Sequence, residues 1–113
     1  MRKDSQPICI TDDYGTKRYY LNNHLHREDG SAIEYTDGTK HWYLNNFLHR
    51  KDGPAIEYND GTKFWYFHGQ RHRIDGPAIE RVNGFKAWWY HGKEINCSSQ
   101  EEFERLIKLQ ILW

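Results

Sequence analysis

Histidine, arginine and aspartate recur together in this chain, as His26-Arg27-Glu28-Asp29, His49-Arg50-Lys51-Asp52 and His72-Arg73-Ile74-Asp75. Such a set could do chemistry: an imidazole can take a proton near neutrality, a carboxylate can orient it, and a guanidinium fork can hold a phosphate or carboxylate. The set is copied at a fixed spacing, however. Catalysis needs one assembled site, whereas an element that serves the fold is copied with every structural unit. The expectation is therefore a scaffold: Asp52 bonds turn amides, Arg50 lies flat on an aromatic such as Trp42 or pairs with Glu57, and His49 fills a core slot. Other chemistry has less behind it. His24 lies near His26 and His68 near His72, but no cysteine or carboxylate completes a zinc-like spacing, so no metal is expected. No Gly-rich loop opens a helix to cradle a phosphate, and Cys97 has no base beside it in sequence. The chain reads as non-enzymatic, with no catalytic residue and no cofactor.

The elements that position these residues come from a tandem repeat. Gly15, Gly38, Gly61 and Gly84 stand 23 residues apart, and nearly the same text follows each. The chain divides into an N-terminal cap over 1–14, full units over 15–37, 38–60 and 61–83, a half unit over 84–97, and a capping helix over 98–113, all in one domain. Each unit carries two turn signals. Asp37-Gly38, Asp60-Gly61 and Asn83-Gly84 suit the positive φ angles of a type I′ hairpin. Asn22-Asn23, Asn45-Asn46, His68-Gly69 and His91-Gly92 also tolerate left-handed backbone, between segments rich in aromatics. Lys40 to Leu44 reads as one strand. Ala55 to Tyr58 reads as another, with Ile56 and Tyr58 on one face and Glu57 on the opposite one. Gly53-Pro54 interrupts the return strand, since proline donates no ladder hydrogen bond, and a bend is expected once per unit. The fold class is mainly β: tandem antiparallel β-hairpin repeats in an elongated, twisted sheet, closed by a C-terminal α-helix.

That helix is signalled by Ser98 and Glu101 as a capping box, followed by Phe103, Leu106, Ile107 and Ile111 at helical spacing. It is expected to cover the last hairpin, with Leu109, Leu112 and Trp113 adding apolar surface; a homodimer contact through the helix is the alternative use of Trp113. Bulk properties set the outer bounds. Aromatics make up 16% of the chain while mean hydropathy is -1.02, which suits a thin sheet with an aromatic-led core. With 16 basic and 16 acidic residues there is no long-range field of the kind that non-specific nucleic-acid binders use. No apolar run is long enough to span a bilayer, so no membrane role is expected. Cys9 and Cys97, near opposite ends, read as free thiols of a cytoplasmic protein.

Trp42-Tyr43-Leu44-Asn45-Asn46, then His49, then Glu57-Tyr58-Asn59-Asp60-Gly61 resemble the MORN repeat, which is also 23 residues long. The likeness covers about residues 7 to 95. Where that family has His-Gly-x-Gly, this chain has His26-Arg27-Glu28-Asp29-Gly30 and its copies, so an arginine replaces the glycine that lets neighbouring units approach. The His-Arg-x-Asp-Gly-Pro-Ala-Ile variant resembles repeats of small uncharacterised proteins of bacteriophages and large DNA viruses, and the ending Ser98-Ser99-Gln100-Glu101-Glu102-Phe103 resembles that of the phage members. The resemblance implies scaffolding and partner binding. A phage origin implies a target in the host cytoplasm, and opposition to a host defence.

A specific function must break the symmetry of the copies. Tyr19, Trp42, Trp65 and Trp88 form one column and Tyr20, Tyr43, Tyr66 and Trp89 the next, facing opposite sides of the sheet. One side is expected to be packed. The other is expected to be an exposed aromatic ladder flanked by Lys40, Lys63 and Lys86 or by Arg50 and Arg73, the alternative being that both columns only pack against neighbours in a twisted sheet. The copies disagree most in the C-terminal half, where cations and aromatics collect. Trp65, Phe67, Arg71, Arg73, Arg81, Trp88, Trp89 and His91 are the candidate partner- or ligand-binding residues. They predict a protein-contact inhibitor of a host protein. The alternative is a sponge for a nucleotide-derived signal, with Trp and Tyr on the base and Arg71 or Arg73 on phosphate.

Overall fold

The two turn dipeptides of each unit close different hairpins. At Asn22-Asn23, Asn45-Asn46, His68-Gly69 and His91-Gly92 both residues have positive φ, from 49° to 81°. That pair of values defines the type I′ turn, whose twist matches the flanking strands. At Asp37-Gly38, Asp60-Gly61 and Asn83-Gly84 only the glycine is left-handed, with φ of 95° to 96°. The sequence places a type I′ turn at this second dipeptide; the structure has a wider one. Gly38 N–H donates to Tyr35 O (3.1 Å), Tyr35 N–H to Thr39 O (2.9 Å) and Thr39 N–H to Asp37 Oδ1 (2.9 Å). The aspartate side chain caps a backbone amide two residues on, which leaves the positive φ to the glycine alone.

The computed structural model describes residues 6–109, and its strands are short because each aromatic segment is shared between two partners. Lys40–His41 pairs with Ile33–Glu34 on one side and Ile56–Glu57 on the other, whereas Tyr43–Leu44 pairs with Phe47–Leu48. Trp42 is the switch between them: its N–H donates to Ala55 O (2.7 Å) and its O accepts from His49 N–H (3.0 Å). The single Lys40–Leu44 strand expected from sequence is thus divided at Trp42. The reason is Gly53-Pro54, which ends the return strand before it can pair further along. Lys17–Leu21 and Lys86–Tyr90, in the terminal copies, run unbroken.

Every pairing in the described residues is antiparallel. One sheet runs through Ile8–Thr11, Lys17–Leu21, Ile33–Glu34, Lys40–His41, Ile56–Glu57, Lys63–Phe64, Ile79–Glu80, Lys86–Tyr90 and Lys93–Ile95, with His24–Leu25 beside Lys17–Leu21. The I′ hairpins project from it and zip onto one another. Asn46 N–H donates to Leu25 O (2.9 Å), Leu25 N–H to Asn46 Oδ1 (2.7 Å) and Arg27 N–H to Tyr43 O (3.1 Å). Threonine adds a second seam: Thr39 Oγ1 accepts from Asn59 N–H (3.2 Å) and Thr62 Oγ1 from Val82 N–H (3.3 Å).

Alternation gives the sheet two unlike faces. The front carries Ala32, Ala55 and Ala78, which are fully buried, together with Glu34, Glu57 and Glu80 and the column Tyr19, Trp42, Trp65 and Trp88. The back carries Ile33, Ile56 and Ile79, buried beneath half-exposed rings such as Tyr35, His41, Tyr58 and Phe64. Extents of 46 × 35 × 17 Å and a radius of gyration of 16.2 Å describe a plate. A compact chain of this length would have a radius of about 13 Å.

Helix α1 (Gln100–Lys108) lies over the last hairpin on the front face. Fully buried Phe103 packs with Trp88 and Ile95, and Cys97, Leu106 and Ile107 join from the rim. The cap is one residue later than the sequence signal. Ser99 accepts from Glu102 N–H, and Glu102 Oε1 accepts from Ser98 N–H (2.9 Å). Ser98 therefore stands just before the cap and Glu102, not Glu101, closes the box. Leu109 is the C-cap and is exposed; Ile111, Leu112 and Trp113 lie outside the described residues. No helix among the described residues is long and apolar enough to cross a membrane.

Candidate functional site

The arginine of each His-Arg-x-Asp set is held through its ring-stacked plane, its Nε and its Nη1. Arg27, Arg50 and Arg73 lie with Cζ 3.9, 3.9 and 3.8 Å from the ring centroids of Tyr19, Trp42 and Trp65. Arg50 Nη1 donates to Glu57 Oε2 (3.0 Å) and to Pro54 O (3.1 Å), while its Nε stands 3.5 Å from Asp52 Oδ1. In Arg73 the same contacts measure 2.9, 3.0 and 2.9 Å, to Glu80, Pro77 O and Asp75. The other side of the guanidinium meets glycine. A Cβ placed on Gly30, Gly53 or Gly76 would stand 2.9, 2.8 or 2.5 Å from the arginine Cζ, so only a residue without one lets the plane pass. Arg50 therefore both stacks on Trp42 and pairs with Glu57, as the sequence suggests. Asp52, expected at turn amides, faces the Arg50 side chain instead.

The histidine of each set is a fastener between units. His26 and His49 are buried, and the Nδ1 atoms of His26, His49 and His72 accept from the backbone N–H of Asn45, His68 and His91 at 3.0, 2.8 and 2.8 Å. An accepting Nδ1 fixes the neutral tautomer with its proton on Nε2. Burial pushes the pKa of His49 and His72 below the ordinary imidazole value, and the neighbouring His68 and His91 push in the same direction. The I′ turn residue after each fastener stacks on it in the C-terminal half: His49 on His68 at 4.4 Å, His72 on His91 at 4.1 Å. Sequence reasoning placed His49 in a core slot but missed this bond, because its donor is a backbone amide 19 residues away and leaves no mark on residue type.

The eight candidate binding residues divide among three places. Trp65, Phe67, Arg73 and His91 line a front-face groove of about 870 Å³ between the His49 and His72 loops, with Lys51, Pro54, His72 and Ile74 on its walls. Phe67 and Ile74 are 37% and 55% exposed there, large apolar side chains open to solvent. One unit earlier the corresponding groove is smaller, about 560 Å³, and has Leu44 and Glu28 in place of Phe67 and of Lys51. Beyond the His72 loop, α1 occupies the front face, where Gln100 Nε2 donates to Ile74 O (2.8 Å) and Gln100 Oε1 accepts from Trp88 Nε1 (2.8 Å). Trp88 is consequently a core residue, 7% exposed, and not part of an open ladder. The half unit has no arginine to lie on it, and the helix takes that place.

Arg71, Arg81 and Trp89 lie on the back face, away from the groove. Arg71 is cross-strand from Tyr66 and donates from Nη2 to Tyr66 Oη (2.7 Å). Its Cζ stands 4.8 Å from the Trp89 centroid and 5.3 Å from those of Phe64 and Tyr66. Arg81 Cζ lies 5.3 Å from Phe64 and 5.9 Å from Phe85. The ladder of Tyr43, Tyr66 and Trp89 is therefore real but half-buried, and the lysine and arginine columns expected to flank it, Lys40 to Lys86 with Arg50 and Arg73, stand on the opposite face. Since the register pairs each of those lysines with Glu34, Glu57 or Glu80, they share the front with the stacked arginines. No group of three or more potential metal ligands exists among the described residues. No family model matches this chain, and neither does any curated protein or solved structure.

Proposed function

We propose that this chain is a non-catalytic binding protein that acts by protein–protein contact, and that the contact is made by the front-face groove between the His49 and His72 loops. Exposed Phe67 and Ile74 at a groove of about 870 Å³ carry the reading, since an apolar concavity rimmed by polar groups is what an anchoring side chain of a partner fills. Lys51, Asp52 and Asp75 give its lining charges of both signs, and Trp65 and His72 give it aromatic rings. The groove is also where the copies depart from one another, Phe67 standing at the place of Leu21 and Leu44, and Ile74 at that of Glu28 and Lys51. Together with the resemblance to small phage proteins, this supports an inhibitor that occludes a component of host defence in the host cytoplasm.

The test is affinity capture from bacterial lysate with the wild-type chain and with Phe67→Leu/Ile74→Lys, which restores residues that other units carry at these positions. Recovery of a partner by the wild type and its loss with the variant are expected. Capture of nothing, or equal capture by both, would overturn the reading. The volume of the groove also admits a small ligand, which favours sequestration of a nucleotide-derived signal as the second reading. Arg73 has its Nε and Nη1 held by Asp75, Pro77 O and Glu80, which leaves Nη2 for such a ligand. Calorimetry against cyclic nucleotides and ADP-ribose derivatives decides it: tight binding of one of them selects the sponge.

A further inference from the structure

The described arginines of the sheet fall into two groups by their partners, helix residue Arg105 standing apart from both. Arg18 pairs with Asp12 (3.0 Å), and Arg27, Arg50 and Arg73 with the carboxylates of their own sets. Arg71 and Arg81 pair with none: among the described residues no carboxylate stands within ion-pair distance of either. Both break the repeat. Arg71 occupies the place of Leu25 and Leu48, and Arg81 that of Tyr35 and Tyr58. Substituting a cation for leucine on a half-buried surface costs desolvation, and that cost has no compensating ion pair within the fold.

What surrounds these cations is also poor in acceptors. Arg71 has three ring faces and the Tyr66 hydroxyl; its Nε and the Trp89 Nε1 are both buried N–H donors without a partner. Two carboxylates approach this region without closing an ion pair. Glu94 is cross-strand from Trp89 and exposed. Asp60 is held below the usual carboxylate range first by the Thr62 amide, with the charge of Arg81 a lesser contributor. Around them stand exposed aromatics, Tyr58 at 39% and Phe85 at 50%. Arginine set among Trp, Tyr and Phe is the composition of a protein-contact hot spot.

We propose that the back face, centred on Arg71 and Arg81 either side of Phe64, is a second interaction surface, and that it takes an acidic segment of a protein. Charge complementarity selects that partner. Arginine meets carboxylate in two-pronged geometry, and a chain of zero formal net charge lacks the broad positive field that a nucleic acid requires. This surface is separated by the thickness of the sheet from the front groove, so one chain can hold two partners at once. It does not depend on the groove being a binding site.

The experiment follows the Trp89 Nε1–H resonance of the full-length, isotope-labelled chain. Three probes are titrated: a short peptide alternating glutamate and glycine, its glutamine counterpart, and oligothymidylate. Saturable shifts with the glutamate peptide, weakening as salt rises, are expected. Arg71→Leu and Arg81→Tyr, which restore the residues of the other units and so keep the fold, should each weaken binding about fivefold or more. Phe67→Leu/Ile74→Lys should leave it unchanged, which separates failure here from failure at the groove. Equal binding by the arginine variants, equal binding of the glutamine peptide, preference for oligothymidylate, or no shift with the glutamate peptide would each overturn the proposal.

Discussion

Arg50 is held by a ring face, two carboxylates, a carbonyl and a glycine, and only 24% of its side chain is exposed. Its partners are unequal. Glu57 is 34% exposed and bonded at 3.0 Å, whereas Asp52 is 90% exposed and 3.5 Å away. An exposed ion pair contributes little, while a partly desolvated cation–π stack with a charged hydrogen bond contributes more. Arg50→Ala should therefore cost about 2 to 3 kcal/mol in urea unfolding, and Asp52→Ala less than about 1 kcal/mol. Arg50→Lys should recover little of the loss, because an ammonium cannot lie flat against Trp42 while donating to Glu57 and Pro54 O. Gly53→Ala belongs to the same set. Its Cβ would meet Arg50 Cζ at 2.8 Å and displace the stack, so a loss of about 1 to 3 kcal/mol is expected in the same measurement.

At the scale of elements, the I′ hairpins are joined through neutral imidazoles, and this makes the stack sensitive to acid. A protonated Nδ1 is a donor, and it would confront the backbone N–H of His68 or His91 that it now accepts from. Burial holds the folded pKa of His49 and His72 down, aided by His68 and His91. Between that depressed value and the unfolded value of about 6.5, the unfolded chain binds more protons than the folded one. Stability is then expected to be level above that pH and to fall as pH drops through the window, by no more than about 1.4 kcal/mol per pH unit for each imidazole. Unfolding midpoints between mildly alkaline and mildly acidic buffers measure it, and His49→Asn/His72→Asn should flatten the slope. The hairpins themselves were legible in the sequence, since Asn-Asn and Asp-Gly are residue types that only turns require. A type I′ turn was placed at Asp37-Gly38, where the structure has a wider one, because the deciding factor is a side-chain bond to Thr39 N–H. The division of the strand at Trp42 was hidden for a similar reason. It depends on which strand Ala55 and His49 face, a tertiary fact that a run of β-forming residues does not record.

The whole molecule is a row of units, each paired with the next through one sheet, with one end covered by a helix. The sequence showed that α1 exists and that Phe103, Leu106 and Ile107 turn inward, whereas Leu109, expected to add apolar cover, is exposed. It could not show that Trp88 would be the residue covered, because Trp88 follows the same pattern as Trp42 and Trp65 and differs only in lacking an arginine downstream to lie on it. The candidate residues were similarly merged: adjacency in sequence grouped Arg71 with Arg73, while the first lies with Tyr66 on the back face and the second with Trp65 on the front. This construction has a consequence for unfolding. Phe103 has no exposed surface and packs on Trp88 and Ile95, so Phe103→Ala should cost about 3 to 5 kcal/mol locally. In a row with nearest-neighbour coupling, such a loss opens the damaged end first and does not spread evenly. Amide exchange in the variant should therefore accelerate across Lys86–Tyr90 and Lys93–Ile95, less across Lys63–Phe64 and Ile79–Glu80, and least at Lys17–Leu21. Uniform acceleration over all of these strands would show that the sheet unfolds as one cooperative body, and that α1 secures every unit and not the last alone.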